Sequence, residues 1–191
     1  MSELVGQTIK KYDVIYADPP WSYYNDMSVD YDCTTVKGMR RPPYSVLSTA
    51  DIKSIPVADI AKDDCILFMW TTDYHLQKAI EIAEEWGFRY VTIAFTWAKK
   101  NKNGSQVKFM GAYTMKSGCE ICLLFTKGKH AHDIVKVKNV SGFLESPRLH
   151  HSKKPDEIRR RIDTLVGECD KIELFARERF QGWDGWGKDY K

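Results

Sequence analysis

Short unbroken apolar runs alternate along this chain with segments whose apolar positions recur every three or four residues. Val14-Ile15-Tyr16-Ala17 is one such run, stopped by Asp18-Pro19-Pro20, and Ile66-Leu67-Phe68-Met69-Trp70 is a second. A strand covered on both faces shows no polar alternation, so these runs predict interior strands. Thr72 and Asp73 can cap a following helix that closes at Gly87 and carries Leu76, Ala79, Ile80 and Ala83 on one face. Tyr90 to Trp97 and Ile121 to Thr126 predict two further strands. Pro155 can open a helix that aligns Ile158, Ile162 and Leu165, ends at Gly167 and precedes a last strand at Lys171 to Phe175. Strands separated by helices in this rhythm predict an α/β fold with a mostly parallel sheet.

Two segments fit neither period. Trp21 to Thr49 is polar and aromatic, and Lys99 to Gly118 is rich in Lys, Gly and Asn. Long connections of this kind in a compact domain predict binding loops. Gln181 to Lys191 interleaves three glycines with Trp183 and Trp186. It predicts an ordered loop, because two indoles are costly to leave in water. No repeat or linker composition interrupts the chain, so residues 1–191 are read as a single domain.

The 191 residues are 43% hydrophobic, which excludes extensive disorder. The longest apolar stretch, Cys65 to Trp70, falls far short of the ~18 residues of a membrane-spanning helix. A net charge of +3 does not by itself identify a polyanionic partner, although basic residues cluster at Lys37 to Arg41, Lys99 to Lys108, Lys127 to Lys138 and Arg148 to Arg161. Five scattered cysteines, with no apolar leader ahead of them, predict reduced thiols in a cytoplasmic protein. Cys119-x-x-Cys122 with His130 and His132 has zinc-like spacing. Both cysteines abut or lie within an apolar strand run and no second pair exists, so no metal is assigned. A Gly-rich phosphate loop ending in Gly-Lys-Ser/Thr is absent, which argues against nucleotide hydrolysis.

The chemistry concentrates at Asp18-Pro19-Pro20-Trp21. Ligands of open α/β sheets bind outside the carboxyl ends of the strands, and Asp18 stands at such an end. An ordinary turn is the plainer reading of Asp-Pro-Pro. The prolines, however, fix backbone carbonyls beside a carboxylate, and Trp21, Tyr23, Tyr24 and Asn25 follow at once. That set suits an exocyclic amine such as adenine N(6), a poor nucleophile whose lone pair is delocalised into the ring. A carboxylate accepting one N–H and a fixed carbonyl accepting the other favour a pyramidal nitrogen, while the aromatics stack on the base. Positioning and preoriented acceptors suffice, with no covalent enzyme intermediate.

Asp18-Pro19-Pro20-Trp21 resembles the catalytic motif of adenine amino-methyltransferases, and the chain is similar to the MT-A70-like adenine N(6)-methyltransferases. The matching stretches run from Tyr16-Ala17 through Pro43-Tyr44-Ser45, Ile66 to Thr71, Gly118-Cys119-Glu120, Ser152 to Ile158 and Lys171 to Arg177. The resemblance implies a Rossmann-like S-adenosylmethionine-dependent methyltransferase with permuted motif order, in which the catalytic strand comes first and the cofactor strand near the C-terminus. It implies catalytic roles for Asp18, Pro19, Pro20 and Trp21. It implies S-adenosyl-L-methionine contacts for Asp18, Pro20, Lys154, Phe175 and Arg177.

Lys154 also stands out on its own chemistry. With Pro155 as the first helical residue, Lys154 occupies the N-cap, a position lysine serves poorly, and an ammonium at a helix N-terminus makes an anion site. The plainer alternatives are a solvated lysine at position 154 and, for Arg177, an exposed strand terminus. In relatives an Asn often follows the position of Gly187; Lys188 replaces it here and is not assigned to the site. On the substrate side Tyr23, Tyr24 and Tyr44 are expected to stack on the base, and Arg40, Arg41 and Lys99 to meet phosphates. The expected partner is nucleic acid, DNA ahead of RNA because compact members look bacterial or phage-like, with a homodimer left open. Two other functions fit the motif less well. A protein glutamine amide methyltransferase would carry Asn in place of Asp18 and Tyr in place of Trp21. A catalytically inactive partner subunit would not need the intact motif.

Overall fold

The computed structural model describes residues 9–22, 47–110, 113–148, 153–188 and 190. In chain order it contains β1 (Tyr12–Ala17), α1 (Thr49–Lys53), α2 (Val57–Ile60), β2 (Ala61–Thr71), a 3-10 turn (Asp73–His75), α3 (Leu76–Glu85) and β3 (Arg89–Lys100). There follow β4 (Lys108–Met110), β5 (Met115–Ser117), β6 (Cys119–Lys127), a second 3-10 turn (Ala131–Ile134), β7 (Phe143–Pro147), α4 (Asp156–Val166), β8 (Lys171–Leu174) and β9 (Asp184–Trp186). Seven strands form one sheet in the order β7-β3-β6-β2-β1-β8-β9, and β4 and β5 pair separately. The β1–β2, β1–β8, β8–β9 and β3–β7 pairings are parallel, whereas β6 runs antiparallel to β2 and β3. The predicted α/β class with a mostly parallel sheet is therefore the observed one.

The continuous apolar runs have the predicted cause. Ile15, Ala17, Cys65, Leu67, Met69, Leu123 and Phe125 project to one face and pack with Ile52 of α1 and with Ala79, Ile82 and Ala83 of α3. Val14, Tyr16, Ile66, Phe68, Trp70 and Cys122 project to the other and pack with Ile158, Ile162 and Val166 of α4 and with Trp183. Alternate residues of each strand thus enter two different cores. Buried polar tips find partners: the Trp70 indole N–H donates to the Tyr16 hydroxyl at 2.6 Å, and that of Trp183 to Asp163 at 3.0 Å.

Several expectations are corrected. The helix after β2 starts at Leu76, because the 3-10 turn intervenes and the Thr72 hydroxyl meets His75 rather than a helical N–H. Its buried face is Ala79, Ile82 and Ala83, with Leu76 37% exposed. Pro155, not Lys154, is the N-cap of α4. The last predicted strand stops at Leu174, because Phe175 has φ of +62° and leaves the pleat. Gln181 to Lys191 contains β9 as well as loop, with Trp183 buried and Trp186 half exposed. Lys99 to Gly118 is not an open loop. It is the arm joining two antiparallel neighbours, β3 and β6, and antiparallel strands connect by hairpins. The arm contains the β4–β5 pair and is pinned by buried Val107, whose amide and carbonyl bond Lys99 and Gly118. Gly118 permits this approach, since a Cβ there would lie 2.5 Å from that of Val107. Among the described residues no helix is long and apolar enough to cross a membrane.

Helix α4 is docked to β8 by charge as well as by its apolar face. The Arg159 side chain, 5% exposed, pairs with Glu173 of β8, with Asp156 and with Glu178, and its guanidinium lies 4.4 Å from the centre of the Phe180 ring. Burial, working against Arg159, holds the Glu173 carboxyl above its ordinary range. Arg159→Leu leaves that carboxylate uncompensated and should cost about 3–5 kcal/mol at neutral pH. The measurement is the urea midpoint at unchanged m. The loss should shrink as pH falls and Glu173 takes up a proton. An unchanged midpoint would mean that the apolar face alone docks the helix.

Candidate active site

Strand β1 is first in sequence yet lies inside the sheet, between β2 and β8. From β1 the chain moves outward to β2 on one side and returns on the other only at β8, so a crevice opens at the carboxyl end of β1. Asp18 is the next residue. Ala17 is in register with Met69 and Leu174, which sets Asp18 level with Trp70 and Phe175.

Both oxygens of the Asp18 carboxylate meet one cation: Lys154 Nζ lies 2.7 Å from Oδ1 and 2.8 Å from Oδ2. The same ammonium is 3.2 Å from Glu120 Oε2 and 5.4 Å from the centre of the Trp70 ring. Glu120 is held in turn by Lys99. Residues 18, 99, 120 and 154 thus close a chain of alternating charge drawn from β1, β3, β6 and the turn before α4. Two cavities meet on it. The smaller, about 40 Å³, is lined by Pro19, Pro20, Trp21, Trp70, Thr72 and Glu120. The larger, about 210 Å³, is lined by Tyr16, Lys153, Arg159, Glu173, Phe175 and Glu178. Asp18, Lys154 and Arg177 border both.

The motif's backbone is fastened on each side. Pro19 C=O accepts the Trp21 amide at 2.8 Å, and Pro20 C=O accepts the Leu47 amide at 3.1 Å. A carbonyl has two lone pairs, so each can still accept a second donor. Trp21 is 6% exposed and donates its indole N–H to Trp70 C=O at 3.0 Å. Across the larger cavity, Phe175 sits in the left-handed region with its ring edge-on to Trp186 at 5.9 Å. The chain that passes beside it allows no side chain at Gly187, where a Cβ would lie 2.3 Å from Ala176 C=O.

A family model described as MT-A70 matches residues 12–189. Among curated relatives, the Type II methyltransferase M.MunI from Mycoplasma sp is 41% identical over 190 residues, covering 93% of this chain and 77% of the relative. The N(6)-adenine-specific methyltransferase METTL4 of Homo sapiens is 25% identical over 196 residues, and the N(6)-adenosine-methyltransferase catalytic subunit METTL3 of Homo sapiens is 26% identical over 176. The chain spans 38% and 26% of the lengths of those two. The chain belongs to the MT-A70 family. Its α/β fold class and its place in a family of adenine N(6)-methyltransferases are what the resemblance implied.

In this MT-A70 member Asp18, Pro19, Pro20, Trp21, Lys154, Phe175 and Arg177 all border the paired cavities. Tyr23, Tyr24, Arg40, Arg41 and Tyr44 lie outside the described residues. Lys99, expected to meet phosphate, turns its ammonium to Glu120 and the Trp97 ring. Lys154 likewise is not an open anion site, since two carboxylates already share its charge. Cys119 and Cys122 stand three positions apart on β6, so they leave opposite faces of the sheet.

Sequence reasoning missed Glu120, Glu173 and Arg159. Glu120 lay within a matched stretch but at the start of an apolar run, where a carboxylate signals a strand end facing a site. Glu173 interrupts an apolar strand in the same way.

The electrostatics of the cluster are unequal. Burial raises the Asp18 carboxyl above its ordinary range, and the opposing pull of Lys154 is incomplete. Burial would raise Glu120 as well, but Lys154 and Lys99 together outweigh it and hold that carboxyl low. Lys154 stays protonated, as its two carboxylates outweigh its own burial. Removing this cation withdraws the largest contribution that favours ionised Asp18. A carboxyl-carbon NMR titration should therefore show Asp18 titrating above the ordinary value of 3.8 and moving further up in Lys154→Met. A downward or absent shift in that variant would disprove the assignment of Lys154 as the counter-charge.

Proposed function

We propose that this chain transfers a methyl group from S-adenosyl-L-methionine to N(6) of adenine in DNA. The observation that carries the reading is the position of Asp18 between two cavities, one walled by aromatic and prolyl groups, the other by charged groups and a strained phenylalanine. The donor set of the larger cavity fits the cofactor. Glu173 and Asp18 can accept from hydroxyl and ammonium groups, Arg177 can meet a carboxylate, and Phe175 can pack on a purine. When bound, S-adenosylmethionine supplies an electrophilic methyl on a sulfonium.

The protein's own part is positional. Asp18 accepts one N–H of the adenine amine, and the free lone pair of a prolyl carbonyl accepts the other. The nitrogen lone pair is then directed at the larger cavity. Lys154 keeps Asp18 ionised in a buried setting. Trp21 walls the acceptor side and, with Tyr23, Tyr24 and Tyr44, offers stacking surface to a base drawn out of its helix. DNA is put ahead of RNA because the Type II methyltransferase M.MunI shares 41% identity, against 26% for the N(6)-adenosine-methyltransferase subunit METTL3. Reduced cysteines and a cytoplasmic setting accord with this reading.

The first test is incubation with tritium-labelled methyl donor and separate DNA and RNA pools, followed by nucleoside analysis. Label in N(6)-methyldeoxyadenosine supports the proposal; label confined to RNA, or to protein glutamine, overturns it. Asp18→Ala should lower turnover roughly 10²–10³-fold, the effect of removing one preorganised polar group, while S-adenosylhomocysteine affinity changes far less. Near-normal turnover in that variant is incompatible with the mechanism.

The β4–β5 arm is the second DNA-facing element. Of its lysines, Lys99, Lys100 and Lys116 are paired with Glu120, Glu145 and Asp73. Lys102 and Lys108 are exposed, as are Phe109, Met110 and Tyr113 of the same arm. If they meet phosphates, Lys102→Ala with Lys108→Ala should flatten the slope of log affinity against log salt by nearly one unit for each lysine–phosphate pair removed. A wild-type slope would remove the arm from the DNA surface.

A further inference from the structure

His75 enters none of the roles above, yet it is 1% exposed and lies directly behind the catalytic motif. It closes the 3-10 turn between β2 and α3. Its Nε2 lies 2.9 Å from Ser22 C=O, and its Nδ1 lies 3.0 Å from the Thr72 hydroxyl. A carbonyl can only accept, so Nε2 carries the proton and Nδ1 accepts from Thr72. The ring stacks on Trp21 with centroids 5.2 Å apart and planes 18° apart, and Tyr74 meets it edge-on at 5.0 Å.

Trp21 and Ser22 are where the chain leaves the motif, and Leu47, which bridges to Trp21, is where it returns. Among the described residues, no sheet pairing longer than that single bridge holds Trp21–Ser22. Beside the Trp21 amide bond to Pro19 C=O, the Trp21 indole bond to Trp70 and the stack and hydrogen bond of His75 tie this stretch to the loop after β2. An aliphatic residue at 75 would fill the space but withdraw this donor from Ser22 C=O and the aromatic face from Trp21. We propose that His75 is a positioning residue for methyl transfer, fixing Trp21 and Ser22 so that the prolyl carbonyls and the Trp21 ring keep their aim at the acceptor cavity. This rests on the function proposed above.

Two readouts test it. In His75→Ala, kcat at saturating cofactor and DNA should fall roughly ten- to a hundredfold, as for a misplacement of about 1 Å, while S-adenosylhomocysteine affinity by calorimetry stays within twofold. In protein labelled with 5-fluorotryptophan, the Trp21 fluorine resonance, assigned with Trp21→Phe, should shift and the other tryptophans should not. His75→Gln, whose amide can still donate to Ser22 C=O, should recover much of kcat. A kcat within twofold of wild type in folded His75→Ala, or a loss matched by equal loss of cofactor affinity, would overturn the proposal. Should that variant not fold, His75→Phe decides, since it keeps a stacked ring without the donor: wild-type kcat refutes, a tenfold loss with intact cofactor affinity supports. The fluorine shift needs no turnover, so failure of the methylation reading and failure of the anchor are separable.

Discussion

One ammonium shared by two carboxylates organises this molecule. Lys154 bridges Asp18 and Glu120, and through Glu120 reaches Lys99. None of these groups could be buried alone, since each would lose its hydration without return. Together they pull the end of β1, the ends of β3 and β6 and the entry to α4 to one point. Buried ion pairs of this kind are often no better for stability than apolar substitutes. Their effect here is electrostatic: Lys154 supplies the charge that opposes the burial of the Asp18 carboxylate between two cavities.

The sheet delivers those groups with little tolerance. β1 has a parallel neighbour on each side and a core on each face, so Asp18 leaves a strand that cannot move independently. The second charged tie, Arg159 to Glu173, fastens α4 to β8 and shapes the larger cavity. Phe175 then breaks the strand in the left-handed region, a conformation that costs of order 1–3 kcal/mol and persists where surroundings enforce it. Here the surroundings are β9 and the close passage of Gly187 over Ala176.

The same architecture separates the duties of similar residues. Of the lysines in the β3–β6 arm, three are neutralised by acids and two face solvent. Trp21, the motif's own aromatic, is held by an indole hydrogen bond and a histidine stack, and so is a rigid wall rather than an adaptable surface.

What the amino-acid order determined by itself was local or strongly patterned. Apolar runs at 14–17 and 66–70 had to be strands buried on both faces. Gly87 and Gly167 stand where α3 and α4 end, and Asp18-Pro19-Pro20-Trp21 stood out as candidate amine chemistry because it follows an apolar run that reads as a buried strand. Only the tertiary structure decided which charges are spent inward. Lys99 and Lys154 read as free cations in the sequence because nothing local marks Glu120 and Asp18, 21 and 136 residues away, as their partners. The helix after β2 begins late because a 3-10 turn intervenes, and the side chain that closes that turn, His75, meets Ser22, 53 residues back. The arm at 99–118 is a hairpin because β6 pairs antiparallel, an orientation set by neighbours in the sheet. Periodicity reports what one element buries, whereas the pairing of buried charges and the direction of a strand are settled by residues far away in the chain.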